Sequence, residues 1–549
     1  MIGVYPNELV RLTRCRTESR LESILPPPPS YLSRRRLPPR RLFSCQESPV
    51  HETAPATERL TPDRATTSPG ATAPAEHPRR RWIMLAVVAL AQLMVVLDGT
   101  IVNIALPAAQ ADLGMTDSDR SWVVTLYALA FGSLLLLGGR VADYWGRKRS
   151  FIVGMIGFAL ASALGGFAVS GEMLLLARGL QGVFAALLAP AALALLTVTF
   201  PSGPDRTRAF AVYGTVAGSG AAVGLLLGGV LTEYLSWHWC LLVNVPIALV
   251  AVIAAVPLVK ESRADGNTKY DIPGAALITA GLASIVYGFS RAELGWGRLD
   301  TIGFLVLGVV LIAAFVWWEG KSKNPLLPLR VILNRVRGGA YLVSMLVGAA
   351  LLGGLLYLTI YFQLVLGMTA LQSGLASLPM AGSIIVGAPF VTKLLPRFGP
   401  RILMTIGPAV AAAGLFWLSS ITEEGNYALQ VLPGQILLGL GLALVFVPMQ
   451  NVALSGTEPR DAGVAGAALT ATQQIGGSIG TAVFTAFYAA VVAAAVPSAA
   501  APFAGFVDGY STVFMAAAVG VLVAVPISWF MVRIPKGGFV VNPEAVHAG

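Results

Sequence analysis

Polar and apolar positions alternate in long blocks rather than at short helical or strand periods. Apolar runs fall at about 82–106, 121–139, 150–169, 172–196, 209–231, 239–258, 272–290, 301–319, 338–363, 371–394, 402–420, 428–449, 463–495 and 511–532. Most reach the roughly 20 residues that a helix needs to cross a bilayer. The pattern therefore predicts fourteen membrane helices joined by short polar loops, an all-α polytopic membrane protein. Basic residues sort the loops. Arg147, Lys148, Arg149, Arg206, Arg208, Lys260, Arg263, Lys321, Lys323, Arg335, Arg337, Lys393, Arg397, Arg460 and Arg533 fall in alternate loops. The intervening loops hold Asp112, Asp117, Asp119, Glu423, Glu424 and Asp508 with only a few arginines. That alternation follows the positive-inside rule and puts both termini in the cytoplasm.

Composition agrees: 55% of the 549 residues are hydrophobic and 12% are charged, against about 25% charged in soluble domains. The net charge of +10 is carried by short loops and the N-terminal stretch. It suits a membrane surface rather than nucleic acid. Residues 1–78 are rich in Pro, Arg, Ser and Thr, with no run able to pack a core. They read as a disordered cytoplasmic tail, or as extra residues from a misassigned start. Cys15, Cys45 and Cys240 are too scattered for a disulfide framework, and with four dispersed histidines no metal site is expected. No cofactor is expected, and no Gly-x-x-x-x-Gly-Lys-Ser/Thr loop for ATP is present.

Between the second and third runs lies Gly139-Arg-Val-Ala-Asp143-Tyr-Trp-Gly146-Arg147-Lys148-Arg149. Gly139 allows close helix approach, Gly146 a tight reversal, and the cations anchor the loop. Arg397-Phe-Gly399-Pro-Arg401 echoes it, with Pro396 in the place of Asp143. The echo divides the chain into two related six-helix halves, 79–260 and 324–533, with an inserted pair at 261–323 and a C-terminal tail at 534–549. The first loop resembles the signature loop of the major facilitator superfamily, in which it latches the two halves on the cytoplasmic side.

Leu97-Asp98-Gly-Thr-Ile-Val-Asn103-Ile-Ala-Leu-Pro107 resembles the helix-1 motif of the fourteen-helix drug:proton antiporter family within that superfamily. A carboxylate inside an apolar span costs on the order of 2.5–3.5 kcal/mol, so Asp98 is expected to face a cavity or carry a proton, or else to lie at the outer interface. Arg178-Gly-Leu-Gln181-Gly182 resembles the helix-4 motif of the same family. Arg178 and Gln181 share one helix face, with snorkelling as the alternative for Arg178. Gly220, Gly224, Gly228 and Gly229 line the fifth helix and resemble the exporter motif, except that Leu225 stands where a proline belongs. Tyr357, Tyr361 and Gln363 resemble the family's ninth-helix region and are named as a possible pocket. Gln473-Gln474-Ile475-Gly476-Gly477 resembles its helix 13.

These resemblances imply a proton-coupled exporter of lipophilic small molecules working by alternating access. Asp98, Arg178, Gln181 and Asn103 are then the coupling and substrate residues, and the expected partners are a small-molecule substrate, protons and the bilayer, with the protein a monomer. A metabolite importer or facilitator stays open because of Leu225. A membrane-embedded transferase or receptor would need a polar catalytic cluster or a sizeable soluble domain, and the sequence offers neither.

Overall fold

The computed structural model describes residues 78–200, 204–263, 271–323, 325–455, 462–495 and 503–533. The two tails read from the sequence lie outside the described residues, save Pro78. Among the described residues, thirteen helical stretches are long and apolar enough to span a membrane: α1 Arg79–Leu113, α2 Asp117–Trp145, α3 Arg147–Gly166, α4 Gly171–Thr199, α5 Arg208–Tyr234, α6 Trp239–Leu258, α7 Ile272–Arg291, α8 Leu299–Lys321, α9 Arg335–Val365, Ala370–Leu418, Tyr427–Leu454, Val464–Ala494 and Ala504–Met531. The tenth has 49 residues. At 1.5 Å per residue it would be more than twice as long as the hydrocarbon core is thick. It is two helices: Gly399 sits inside it at φ 74°, ψ 164°, a backbone that breaks a helix. The stretch divides into α10 (370–398) and α11 (400–418), followed by α12, α13 and α14. Fourteen spans result, as the apolar pattern predicts. Among the described residues there is no strand.

The sequence echo is an echo of conformation. Gly146, at φ 129°, ends α2 and starts α3, as Gly399 separates α10 from α11. Both reversals need a left-handed backbone that glycine adopts without strain. Helix starts on the opposite face are fixed by side-chain caps. Thr116 with Asp119, and Thr369 with Gln372, form capping boxes at α2 and α10, and Ser170 caps α4. We call that opposite side the distal face and the side that begins α1 the terminal face.

Helices α1–α6 pack among themselves, as do α9–α14. The two groups meet where α2 lies on α13 and α5 on α10. At the first crossing a Cβ on Gly132 would come within 3.0 Å of Gln474 Cβ. At the second, Gly374 lies against the carbonyl of Leu225, 2.5 Å from where its Cβ would be, and Gly229 against Leu371 Cα at 2.7 Å. The inserted helices pair with each other, and α7 packs on α2 and α13, beside the seam. Only 17% of the α8 span is buried; Phe304, Val306, Val309, Val310 and Trp317 face outward, so this helix has a lipid-directed surface.

Candidate functional site

Asp98 stands near the middle of α1, with nineteen residues of the helix before it and fifteen after. It is fully buried, and helices of the first half supply all its donors. Arg178 Nη1 on α4 donates to Oδ2 at 2.7 Å. Gln181 Nε2, one turn further on α4, donates to Oδ1 at 2.8 Å, and Asn244 Nδ2 on α6 donates to the same oxygen at 2.9 Å. A second layer holds these donors. Gln181 Nε2 and Asn244 Nδ2 both reach Ser162 Oγ on α3, at 2.7 and 3.3 Å. Arg178 Nε donates to Val123 O on α2 at 3.1 Å, Nη1 to Gln181 Oε1 at 2.8 Å, and the guanidinium lies 4.3 Å above the ring of Tyr127. Five of the six first-half helices thus contribute to one dry polar knot. Arg178 does not snorkel, and Asp98 is at neither the outer interface nor an open cavity.

A buried ion pair survives only when its remaining hydrogen-bonding capacity is satisfied. Here the amides of Gln181 and Asn244 do that for the carboxylate. Two groups in the knot lack partners, Asn244 Oδ1 and Tyr127 Oη. Each could accept a bond from the guanidinium if it turned, and the Tyr127 hydroxyl could donate to a turned carboxylate. Ser162 and Tyr127 carry no signature that marks them in the sequence, and Asn244 falls in Asn244-Val245-Pro246, which resembles the family's helix 5–6 junction without pointing to Asp98. Asn103 is placed elsewhere: its Nδ2 turns back to Gly99 O at 3.0 Å, and its buried Oδ1 has no partner.

The glycines of α5 divide into two contacts. Gly220, Gly224 and Gly228 face α1. A Cβ at Gly228 would be 2.9 Å from Ile101 O, one at Gly220 3.0 Å from Val96 Cγ1, and one at Gly224 would collide with Thr100 Oγ1. Gly229 faces α10 in the other half. Leu225 is buried, and α5 continues as helix past it. The stretch of α1 next to Asp98 therefore rests on α5, and α5 rests on α10.

In the signature loop, Asp143 Oδ1 accepts from Arg147 Nη2 at 2.9 Å and Nε at 3.2 Å. Gly139 meets Pro190 of α4. Gly146 fits against Glu261, whose Oε1 would lie 2.5 Å from a Cβ there. Glu261 also accepts from Lys148 N and lies 3.6 Å from Arg149 Nε, while Lys148 Nζ reaches Val256 O. These contacts lie within the first half and Glu261 at the start of the inserted stretch, while Arg140 of the same loop reaches Pro325 O at 3.2 Å.

The halves are further joined toward the distal face. Gln363 Nε2 donates to Ile104 O at 3.0 Å, Leu371 N to Glu233 Oε2 at 3.0 Å, and Tyr488 Oη to Asp117 Oδ2 at 3.2 Å. Asp117 also binds Gln110 Nε2 and the buried Arg120. Tyr488 stacks on Tyr510 with centroids 5.4 Å apart, and both adjoin Tyr357. Tyr357 and Tyr361 are fully buried, bonded to Thr485 Oγ1 and Thr422 O. They form part of this aromatic plug, and Gln363 is a tie between halves. Among the described residues no group of His, Cys, Asp and Glu could hold a metal.

Residues 88–481 match the family model described as Major Facilitator Superfamily. The puromycin resistance protein of Streptomyces alboniger is 48% identical over 461 residues, 82% of this chain and 92% of its own length. The cephamycin export protein of Amycolatopsis lactamdurans is 39% identical over 72% of this chain and 82% of its own. The lincomycin resistance protein of Streptomyces lincolnensis is 34% identical over 74% and 84%. A solved structure of a bacterial homolog of the human lysosomal transporter Spinster shares the fold, with a TM-score of 0.59 at 15% identity, across 85% of this chain and all of that one.

Proposed function

This chain belongs to the Major Facilitator Superfamily, and from that premise we propose that it is a proton-coupled antiporter exporting lipophilic antibiotic-like molecules across the cytoplasmic membrane. Membrane transport follows from the family, and relatives named for antibiotic resistance and export support the outward direction and the substrate class. The single observation that carries the coupling is the buried pair Asp98–Arg178 at mid-span. An ionisable residue inside a span marks a proton or ion pathway by default.

The coupling runs as follows. Ionised Asp98 pulls α1, α4 and α6 together through three donors. A proton on Asp98 removes the charge that holds Arg178, leaving the guanidinium on Gln181 Oε1, Val123 O and the Tyr127 ring. The slackened segment of α1 is the one packed on the glycines of α5, and α5 bears on α10 at Leu225–Gly374. The state of one carboxylate thereby reaches the distal seam between the halves through contiguous backbone contacts. The seam is closed in this structure. Opening it requires the bonds of Asp117, Glu233 and Gln363 across it to part. The signature loop, engaged here with Glu261, latches the terminal face in the opposite state. Both termini lie in the cytoplasm, and the six-helix halves move about the seam while the inserted pair flanks it.

Expression in a pump-deficient host tests the reading. Tolerance to puromycin and related lipophilic antibiotics should rise, should vanish when the proton gradient is collapsed, and should be absent with Asp98→Asn at equal expression. Tolerance that persists without a gradient would refute proton coupling.

A further inference from the structure

The inserted helices carry two acids that the transport cycle above does not use. Asp271 caps α7, its Oδ1 accepting from Gly274 N at 2.9 Å and from Trp318 Nε1 on α8 at 2.7 Å. Glu319, near the end of α8, accepts from the backbone N–H groups of Leu326 and Leu327 at 3.1 Å each. Those residues belong to the linker that leads into α9 and the second half. Arg140 on α2 grips the same linker, Nη2 donating to Pro325 O at 3.2 Å.

Both acids are more than nine-tenths buried. Asp271 Oδ2 has no hydrogen-bond partner. It borders the same gap as Glu319 Oε1: a Cβ on Gly274 would lie 2.8 Å from the first and 3.0 Å from the second, and the two side chains interact directly. The nearby cations are engaged elsewhere. Lys321 lies over the Trp317 ring, Arg140 on Tyr144 Oη and Pro325 O, and Arg337 on Val331 O and Arg330 O. No ion pair to either acid is found among the described residues.

Two buried carboxylates in contact, with no cation beside them, do not both stay ionised. One proton held between Asp271 Oδ2 and Glu319 Oε1 resolves the conflict and gives the orphan oxygen a partner. We propose that Asp271 and Glu319 hold one exchangeable proton between them, forming a second proton site in the inserted pair that controls the linker between the halves. The proton comes from water at the terminal face and returns there. When it leaves, the two anions repel, and Glu319 loosens its hold on Leu326 and Leu327. The inserted pair is then a proton-sensitive brace on the segment that Arg140 shares.

This assignment is independent of what the protein carries, and its test measures no transport. Infrared difference spectra of the purified protein between alkaline and acidic pH should show the carbonyl band of a buried protonated carboxylic acid. Asp271→Asn and Glu319→Gln should each lose that band, while Asp98→Asn keeps it. Asp271→Asn can retain Oδ1 for the cap and put a permanent donor at the orphan position. Its hydrogen exchange over 325–329, corrected for intrinsic rates, should lose the pH response seen in the parent. A band absent from the parent, or kept in both variants, overturns the shared proton. An equal pH response of the linker in parent and Asp271→Asn overturns its control. If Glu319→Gln fails to fold, Asp271→Asn decides alone.

Discussion

Arg178 reaches Asp98 at 2.7 Å across the interior of the first half, and both side chains are buried from every side. Removing one partner of such a pair leaves an uncompensated charge, at a cost of about 3–5 kcal/mol. Arg178→Ala should therefore lower the melting temperature and the yield of folded protein. Asp98→Asn keeps the shape but leaves the guanidinium without its counter-ion, so it should also lose stability, and the protein that folds should release no proton on substrate addition in detergent. The double variant Asp98→Asn/Arg178→Gln should recover the stability lost in Arg178→Ala and stay uncoupled. Parent-like proton release by Asp98→Asn would move the coupling site elsewhere.

At the distal seam, Tyr488→Phe deletes the bond to Asp117 and keeps the ring stack. A hydrogen bond to a charged group contributes about 1.5–3 kcal/mol, so the population open at the distal face should rise roughly tenfold or more. Reagent access from that side to an engineered cysteine near Gln363 reads this out. Unchanged access would assign the seam to packing alone.

Packing at the same seam has its own test. Gly374→Val forces a side chain into the Leu225 carbonyl, and overpacking of this kind costs about 1–3 kcal/mol. The variant should insert normally but resist distal closure, and transport should fall severalfold. Full activity would show that α5 and α10 separate there without consequence.

Asp143 is partly exposed and bonded within its own loop, an arrangement that contributes about 1 kcal/mol at most. Asp143→Asn should leave thermal stability within a degree or two and still impair transport, because its role belongs to the state in which the terminal face is latched. A stability loss matching the activity loss would make it a structural residue instead.

The topology carries a direct check. Reporters fused after Lys260 and after Lys323 should both report the cytoplasm, since α7 and α8 cross and return. Opposite reports would remove one inserted helix from the membrane.

The spans, their number and the paired reversals at Gly146 and Gly399 were legible because apolar length and glycine placement are local properties of the chain. Asp98 and Arg178 were legible because a charge in an apolar run stands out, and Gln181 because it shares a motif resemblance and a helix face with Arg178. Their companions Ser162 and Tyr127 did not stand out, and Asn244 stood out only as part of a junction motif. Small polar and aromatic residues are common in membrane helices, and only three-dimensional convergence marks them. Tyr357 and Tyr361 show the limit from the other side: helical spacing does not say whether a ring faces a cavity or its own bundle, and here both are buried in the plug. Nothing in the linear order singles out Asp271 and Glu319 or announces that they meet.

All donors to Asp98 come from the first half, and this has an electrical consequence. If the halves rock as units while Asp98 is ionised, the carboxylate and the guanidinium travel together as a nearly neutral dipole. The pair then moves almost no net charge through the membrane field during rocking. Voltage acts instead on the proton's own path between Asp98 and water, where about 2.3 kcal/mol is available per charge per 100 mV. Charge-movement recordings should accordingly find the rapid current tied to protonation, lost in Asp98→Asn, and the slower rearrangement of the helices nearly silent in the deprotonated protein.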